Sequence, residues 1–132
     1  MAIKPIVPAS LQDTYDTMQY APAVRAGDMV FLSGVIADLK EGQTGTDAEY
    51  AAASEEAFEH IDMILKEAGG SIADIVDVTS YHVDFEKHIG PLMAVKAKWL
   101  PAPYPAWTLI GITSLYSPLG FVEIKVNAHI PL

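Results

Sequence analysis

The clearest hydrophobic pattern lies near the C-terminus. Across residues 121–130, Val122, Ile124, Val126, Ala128 and Ile130 alternate with Glu123, Lys125, Asn127 and His129. A period of two predicts a strand with one face buried and the other lined by polar groups. A different period governs the middle of the chain. Tyr50, Ala53, Ala57, Ile61, Ile64 and Ala68 recur every three or four residues, as one face of a helix. Thr46-Asp47-Ala48-Glu49 forms a capping box at its start, with the threonine oxygen placed for a free N–H and the glutamate reaching back. Gly69-Gly70 supplies its stop.

The remaining elements follow from shorter signals. Residues 20–25 and 29–34 read as two strands joined by the turn Ala26-Gly27-Asp28, hence a hairpin. Residues 37–45 are polar and contain glycine, which predicts a loop. Residues 75–83 are rich in β-formers and predict a third strand. A second helix is expected over residues 88–100, ended by Pro101. Residues 107–112 form the strand before the last. Residues 1–19, with Pro5 and Pro8, are expected to be irregular. The order is ββαβαββ, which implies an α+β fold: a mixed sheet with two helices on one face and the other face left for a partner. Residues 1–132 read as a single domain, with no repeat, linker or low-complexity tract.

Composition narrows the functions open to such a domain. The hydrophobic fraction is 51% and the charged fraction 19%, an apolar balance that points to a buried subunit interface. There is no cysteine, so disulfides, thiolate metal sites and cysteine nucleophiles are excluded. No apolar run is long enough to span a membrane, and the first residues show no signal-peptide core, so a cytoplasmic protein is expected. The net charge is −9, with Arg25 the only arginine. Nucleic-acid binding depends on cations set against phosphate, so a nucleic-acid partner is not expected.

Candidate chemistry is sparse when read from local motifs. His82, Asp84, Glu86 and His88 alternate as metal ligands on a strand would. The predicted strand ends near residue 83, however, which breaks the shared face, and no metal site is expected. His60 falls on the first helix and His129 on the polar face of the last strand, without a recognisable ligand or triad partner. No HExxH motif, phosphate-binding glycine loop or nucleophile elbow is present, and no cofactor is implied. Glu55, Glu56 and Glu59 read as a solvated helix face.

A resemblance gives other residues meaning. Pro105-Ala106-Trp107-Thr108 followed by Val122-Glu123-Ile124 resembles the C-terminal signature of the RidA/YjgF family. Tyr20, Ser33-Gly34 and residues 74–79 fall in matching order and spacing. Residues 77–82, 93–96, 103–108 and 123–126 are closer still to the YjgH-type branch. The resemblance covers about residues 20–131. It implies a chorismate-mutase-like fold, a homotrimer whose open sheet faces surround the threefold axis, and small-molecule pockets between subunits. Well-studied members hydrolyse enamines and imines. Some carry ribonuclease names, which the charge of this chain argues against transferring.

Carried over by position, the resemblance makes Glu123 the residue that orients water, and Tyr20, Ser33, Gly34 and Thr108 pocket residues. It also places Trp107 where active members have an arginine that clamps the substrate carboxylate; the YjgH-type branch lacks that arginine too. Losing a bidentate clamp removes about 1.5–3 kcal/mol of charge-assisted hydrogen bonding, a factor of ten or more in binding. Weak or absent activity on 2-imino acids is expected, with either a divergent hydrolase or a non-catalytic metabolite binder as the outcome. Trp107 has two open roles, as a packed interface residue or as a platform for a neutral, aromatic or cationic ligand. Arg25 sits near the first hairpin turn, away from the expected pocket; Lys125, two residues from Glu123 on the same strand face, is nearer, offering a point charge rather than a fork.

Overall fold

The structure is a computed structural model, and it describes residues 3–132. Its strands are β1 (Lys4–Ile6), β2 (Ala23–Ala26), β3 (Met29–Leu32), β4 (Val35–Asp38), β5 (Ile75–Val83), β6 (Ala106–Ile112) and β7 (Gly120–His129). Its helices are α1 (Gln12–Met18), α2 (Asp47–Glu67) and α3 (Ile89–Trp99). All seven strands join one mixed sheet in the order β1-β2-β3-β7-β5-β6, with β4 also paired to β7. Only the β5–β6 pair is parallel, as expected for two strands joined through a crossover helix, here α3.

The alternating C-terminal segment forms the longest strand. Val122, Ile124, Val126, Ala128 and Ile130 are all buried, whereas Glu123, Lys125 and Asn127 are only partly so. Opposite the buried row, α2 inserts Ala53, Ala57, Phe58, Ile61, Ile64 and Leu65. Each large side chain in that layer stabilises the fold by about 1.5–3 kcal/mol through burial. The capping box closes as the sequence predicts. Glu49 N–H donates to the Thr46 hydroxyl at 3.2 Å, and the Glu49 carboxylate accepts from the N–H groups of Thr46 and Gly45 at 2.9 Å each. The helix α3 lies beside α2, burying Leu92 and Val95 and stacking Trp99 on Phe58 at 6.2 Å.

Three expectations fail. The segment 1–19 is not irregular where the structure describes it. It contains β1, a short 3-10 turn over Ala9–Leu11, and α1; residues 1 and 2 lie outside the described residues. Pro5 fits because β1 is the outermost strand, where a missing N–H on the free side costs no ladder bond. The expected loop at 37–45 begins as strand, because β4 continues through Asp38. The first predicted strand is also shorter than expected and starts at Ala23 rather than residue 20. The observed order therefore gains β1, α1 and β4 over the predicted ββαβαββ, while the α+β class and the two covering helices stand. Among the described residues, no helix is long and apolar enough to cross a membrane.

Candidate functional site

The site begins at a fault in the ladder. Along β3, Phe31 faces Asn127, and along β4, Val35 faces Ile124. Four steps on one strand match three on the other, so one extra residue is accommodated around Ser33-Gly34. This is a β-bulge, a device that redirects side chains while both flanks stay paired. Sequence alone reads Ser33-Gly34 as the end of a strand, because one inserted residue interrupts the alternation. Ser33 secures the bulge: its N–H donates to the Pro22 carbonyl at 3.0 Å and its hydroxyl to the Ala21 carbonyl at 2.7 Å. This tie holds the preceding segment in place, where Tyr20 remains exposed.

Gly34 is required by proximity. A Cβ at this position would lie 2.7–2.8 Å from the Glu123 side chain, inside any real contact distance. The Glu123 carboxylate thus rests against the glycine, while its backbone pairs with Ile36 on one side and Tyr81 on the other. Tyr20 and Gly34 also line a cleft of about 580 Å³ between β4 and α2, with Asp38, Lys40, Glu56 and His60 on its walls. A cavity of about 100 Å³ adjoins it, lined by Tyr20, Ser33, Gly34 and His60 among others. Four of the expected residues, Tyr20, Ser33, Gly34 and Glu123, therefore converge around the bulge.

His60 is the residue that sequence reasoning passed over. It borders both cavities, and burial lowers its pKa below the ordinary 6.5, which favours a neutral imidazole. The available signal was helical spacing: Ala53, Ala57, His60 and Ile64 follow one another by four, three and four along the inner side of α2.

Trp107 lies elsewhere. In the parallel pair it sits beside Val78, whose side chain is buried under the helices. The indole N–H donates to the Ser80 hydroxyl at 2.7 Å, and Lys96 Nζ of α3 lies 4.4 Å from the ring centroid. Trp107 therefore belongs to the helix-covered face, whereas Glu123, next to buried Ile124, belongs to the open one. Thr108 turns the opposite way from Trp107 and lines up with Thr79 and Lys125. Since β5 separates β6 from β7, Thr108 and the Glu123 strand stand roughly 10 Å apart. Within one chain, neither Trp107 nor Thr108 joins the cluster around Gly34.

The cations sort out in an unexpected way. Arg25 is fully engaged, with its guanidinium donating to the carbonyls of Ile130, Ala68 and Gly27 at 2.6, 2.9 and 3.2 Å. Lys125 donates to the Leu32 carbonyl. The cation beside Trp107 is Lys96, which makes no ion pair among the described residues and whose pKa burial lowers. One face of the indole thus already carries a positive charge, which disfavours a cationic ligand on that face.

The alternating His82-Asp84-Glu86-His88 run resolves into a direct histidine pair. β5 ends at Val83, and Asp84 turns outward with φ 50°. His82 Nδ1 then meets His88 Nε2 at 2.9 Å, with the ring planes only 2° apart, the centroids 5.2 Å apart and both side chains fully buried.

Comparison with known proteins agrees with this architecture. The family profile described as Endoribonuclease L-PSP matches residues 12–130. The chain belongs to the RidA/YjgF family. It is 38% identical to the RutC family protein YjgH of Escherichia coli (strain K12) over 96% of this chain and 94% of that one. It is 27% identical to the 3-aminoacrylate deaminase RutC of Acinetobacter baylyi, over 84% of this chain and 86% of the relative. A solved structure described as protein YJGH superposes with a TM-score of 0.83 at 34% identity, covering 100% of this chain and 99% of that one.

Proposed function

We propose that this chain is a divergent member of the deaminase-type hydrolases of the RidA/YjgF family, acting in a pocket completed by a second subunit of a homotrimer. The observation that carries the reading is the Glu123 carboxylate held against Gly34 at the bulge, on the open face of the sheet. A carboxylate in that place can orient water for attack on an imine carbon. His60 borders the neighbouring cleft on the helix side of β4, whose walls do not include Glu123. Ser33 holds the bulge, and Tyr20 borders the entrance.

The need for a second subunit follows from separation. Thr108 and Trp107 lie on β6, an edge strand with Leu109 and Ile110 exposed. They meet the Tyr20–Gly34 cleft only if the edge of one copy approaches the cleft of another. In this arrangement Trp107 replaces the family's carboxylate clamp and Lys96 is the cation nearest to it. Activity on 2-imino acids is then weak or absent. The net charge of −9 opposes the ribonuclease activity named in the family description.

A second reading is a non-catalytic metabolite-binding trimer that uses the same pocket. It is favoured by Trp107, whose indole N–H and one ring face are already occupied within the chain.

The test generates 2-aminoacrylate in situ and follows pyruvate release. Release at the rate of an arginine-bearing relative would refute the expected loss of the clamp. Trp107→Arg places a second cation beside Lys96, so the informative variant is Trp107→Arg combined with Lys96→Gln. Recovery of pyruvate release in the double variant supports the hydrolase reading. Measurable release that survives Glu123→Gln unchanged removes Glu123 as the water-orienting group. A monomer by light scattering removes the shared pocket.

A further inference from the structure

Behind Trp107, a polar cluster is buried between β5, β6 and the start of α3. Four side chains form a continuous line. Trp107 Nε1 lies 2.7 Å from Ser80 Oγ, Ser80 Oγ lies 2.7 Å from His82 Nε2, and His82 Nδ1 lies 2.9 Å from His88 Nε2. Ser80, His82 and His88 are each at most 2% exposed.

The direction of this line follows from its first member. An indole nitrogen can only donate, so Ser80 accepts from Trp107. The remaining side-chain partner of Ser80 is His82 Nε2, so the serine hydroxyl donates there and Nε2 accepts. A neutral imidazole that accepts at Nε2 carries its proton on Nδ1, and His82 therefore donates to His88 Nε2. By the same rule His88 carries its proton on Nδ1, which is buried without a hydrogen-bond partner. One fixed donor on β6 thus sets the tautomers of two histidines and leaves the single unpaired donor at the far end, near the rings of Tyr50 and Phe121.

We propose that Ser80, His82 and His88 are positioning residues for Trp107: a one-way hydrogen-bond chain that holds the indole on the helix side of the sheet and reverses its direction when the histidine pair takes up a proton. The chain cannot absorb that proton in place. A protonated His88 presents N–H at Nε2, which would face the N–H of His82 across 2.9 Å. His82 must then shift its proton to Nε2, and the Ser80 hydroxyl loses its acceptor. The line reverses, and a buried charge replaces a neutral pair.

The surrounding groups define the balance. Asp84, at the turn between His82 and His88, favours protonation. Lys96 of α3, over the indole, stands on the opposing side. From α2 the neighbour is neutral Tyr50, and β7 contributes the apolar Phe121. Burial, the larger effect, lowers the pKa of both histidines, so the neutral line persists at pH 7.

The experiment uses the unmodified ¹⁵N-labelled protein, and its outcome is independent of whether Glu123 acts on any substrate. Long-range ¹H–¹⁵N spectra at pH 7 report the tautomers directly. The expected result is Nδ1–H for both His82 and His88, with the Trp107 indole proton shifted downfield relative to Trp99 and slow to exchange. On acidification, the Trp107 indole and both imidazoles shift together at a midpoint below the ordinary 6.5. An Nε2–H tautomer at either histidine overturns the proposal. So does an indole resonance that stays fixed while the histidines titrate. Trp107→Phe keeps an aromatic ring and removes the donor. A mixture of His82 tautomers is expected there, and retention of pure Nδ1–H shows that Trp107 does not set the direction.

Discussion

The two faces of the β5–β7 ladder handle polar residues in opposite ways. On the helix-covered face, Ser80 and His82 sit among Val78, Ile124 and Val126, and they satisfy one another through a neutral line ending at Trp107 and His88. On the open face, Glu123, Lys125 and Asn127 remain partly solvated and take separate partners. Glu123 rests on Gly34, Lys125 reaches the Leu32 carbonyl, and the Asn127 amide donates to Asp77 at 3.2 Å. Charge is tolerated on the open face because water still reaches it, whereas the buried line stays neutral and is paired everywhere except at His88 Nδ1. The covered face therefore depends on internal partners for its polar groups, and the open face leaves its polar groups within reach of water.

Variants can probe that division. The largest stability loss is expected from Ser80→Ala, which leaves the buried Trp107 N–H and His82 Nε2 without partners. Each such group costs about 1–3 kcal/mol, so urea denaturation should show a loss of a few kcal/mol. A loss below about 0.5 kcal/mol would mean that the buried line contributes little to stability.

Acid provides the next effect. Burial, and then the charge of neighbouring His82, push His88 from 6.5 down to about 4. A folded-state pKa below the unfolded one means that the unfolded chain binds more protons between those values. The His88 contribution is thus present above pH 6.5 and is lost as pH falls toward 4. From pH 7 to pH 5 the loss is about 2 kcal/mol, measurable by denaturation at matched ionic strength. His82→Gln/His88→Gln should flatten this dependence if the pair is its source.

On the open face, Gly34→Ala should separate chemistry from stability. Its Cβ would meet the Glu123 side chain at 2.7–2.8 Å. That side chain is flexible and can swing aside, so a stability change of about 1 kcal/mol or less is expected. Glu123 is nevertheless displaced from the bulge, and any activity or ligand binding that depends on it should fall at least tenfold. Unchanged function would detach the bulge from the site.

The smallest effect should come from Lys40→Ala. The Lys40–Glu56 pair spans 3.2 Å at the rim of the cleft with both side chains more than 60% exposed. Such a pair contributes under about 0.5 kcal/mol, and a larger change in thermal unfolding would show that the rim is more tightly organised than its exposure implies.

Much of this molecule was readable from local pattern. The alternation of residues 121–130, the helical spacing from Tyr50 to Ala68, the capping box at Thr46 and the glycine stop depend on near neighbours, and each appears where expected. The order and spacing of Tyr20, Ser33-Gly34, Pro105-Ala106 and Glu123 were enough to indicate the family. β4 was obscured because a one-residue bulge disrupts its alternation, and β1 because a three-residue strand is too short to show a period.

What lay beyond the sequence was which side chains meet. Spacing alone made His82 and His88 resemble metal ligands and left Lys125, on the strand face of Glu123, as the replacement cation to consider. The turn at Asp84 instead brings the two imidazoles edge to edge, and the crossover through α3 brings Lys96 to the indole. Those contacts join residues 6, 11 and 27 positions apart in the chain. Local periodicity encodes which face a residue occupies. Only the packing of β5, β6 and α3 decides which neighbours share that face, and so whether Trp107 is an open platform or a residue tied into the core.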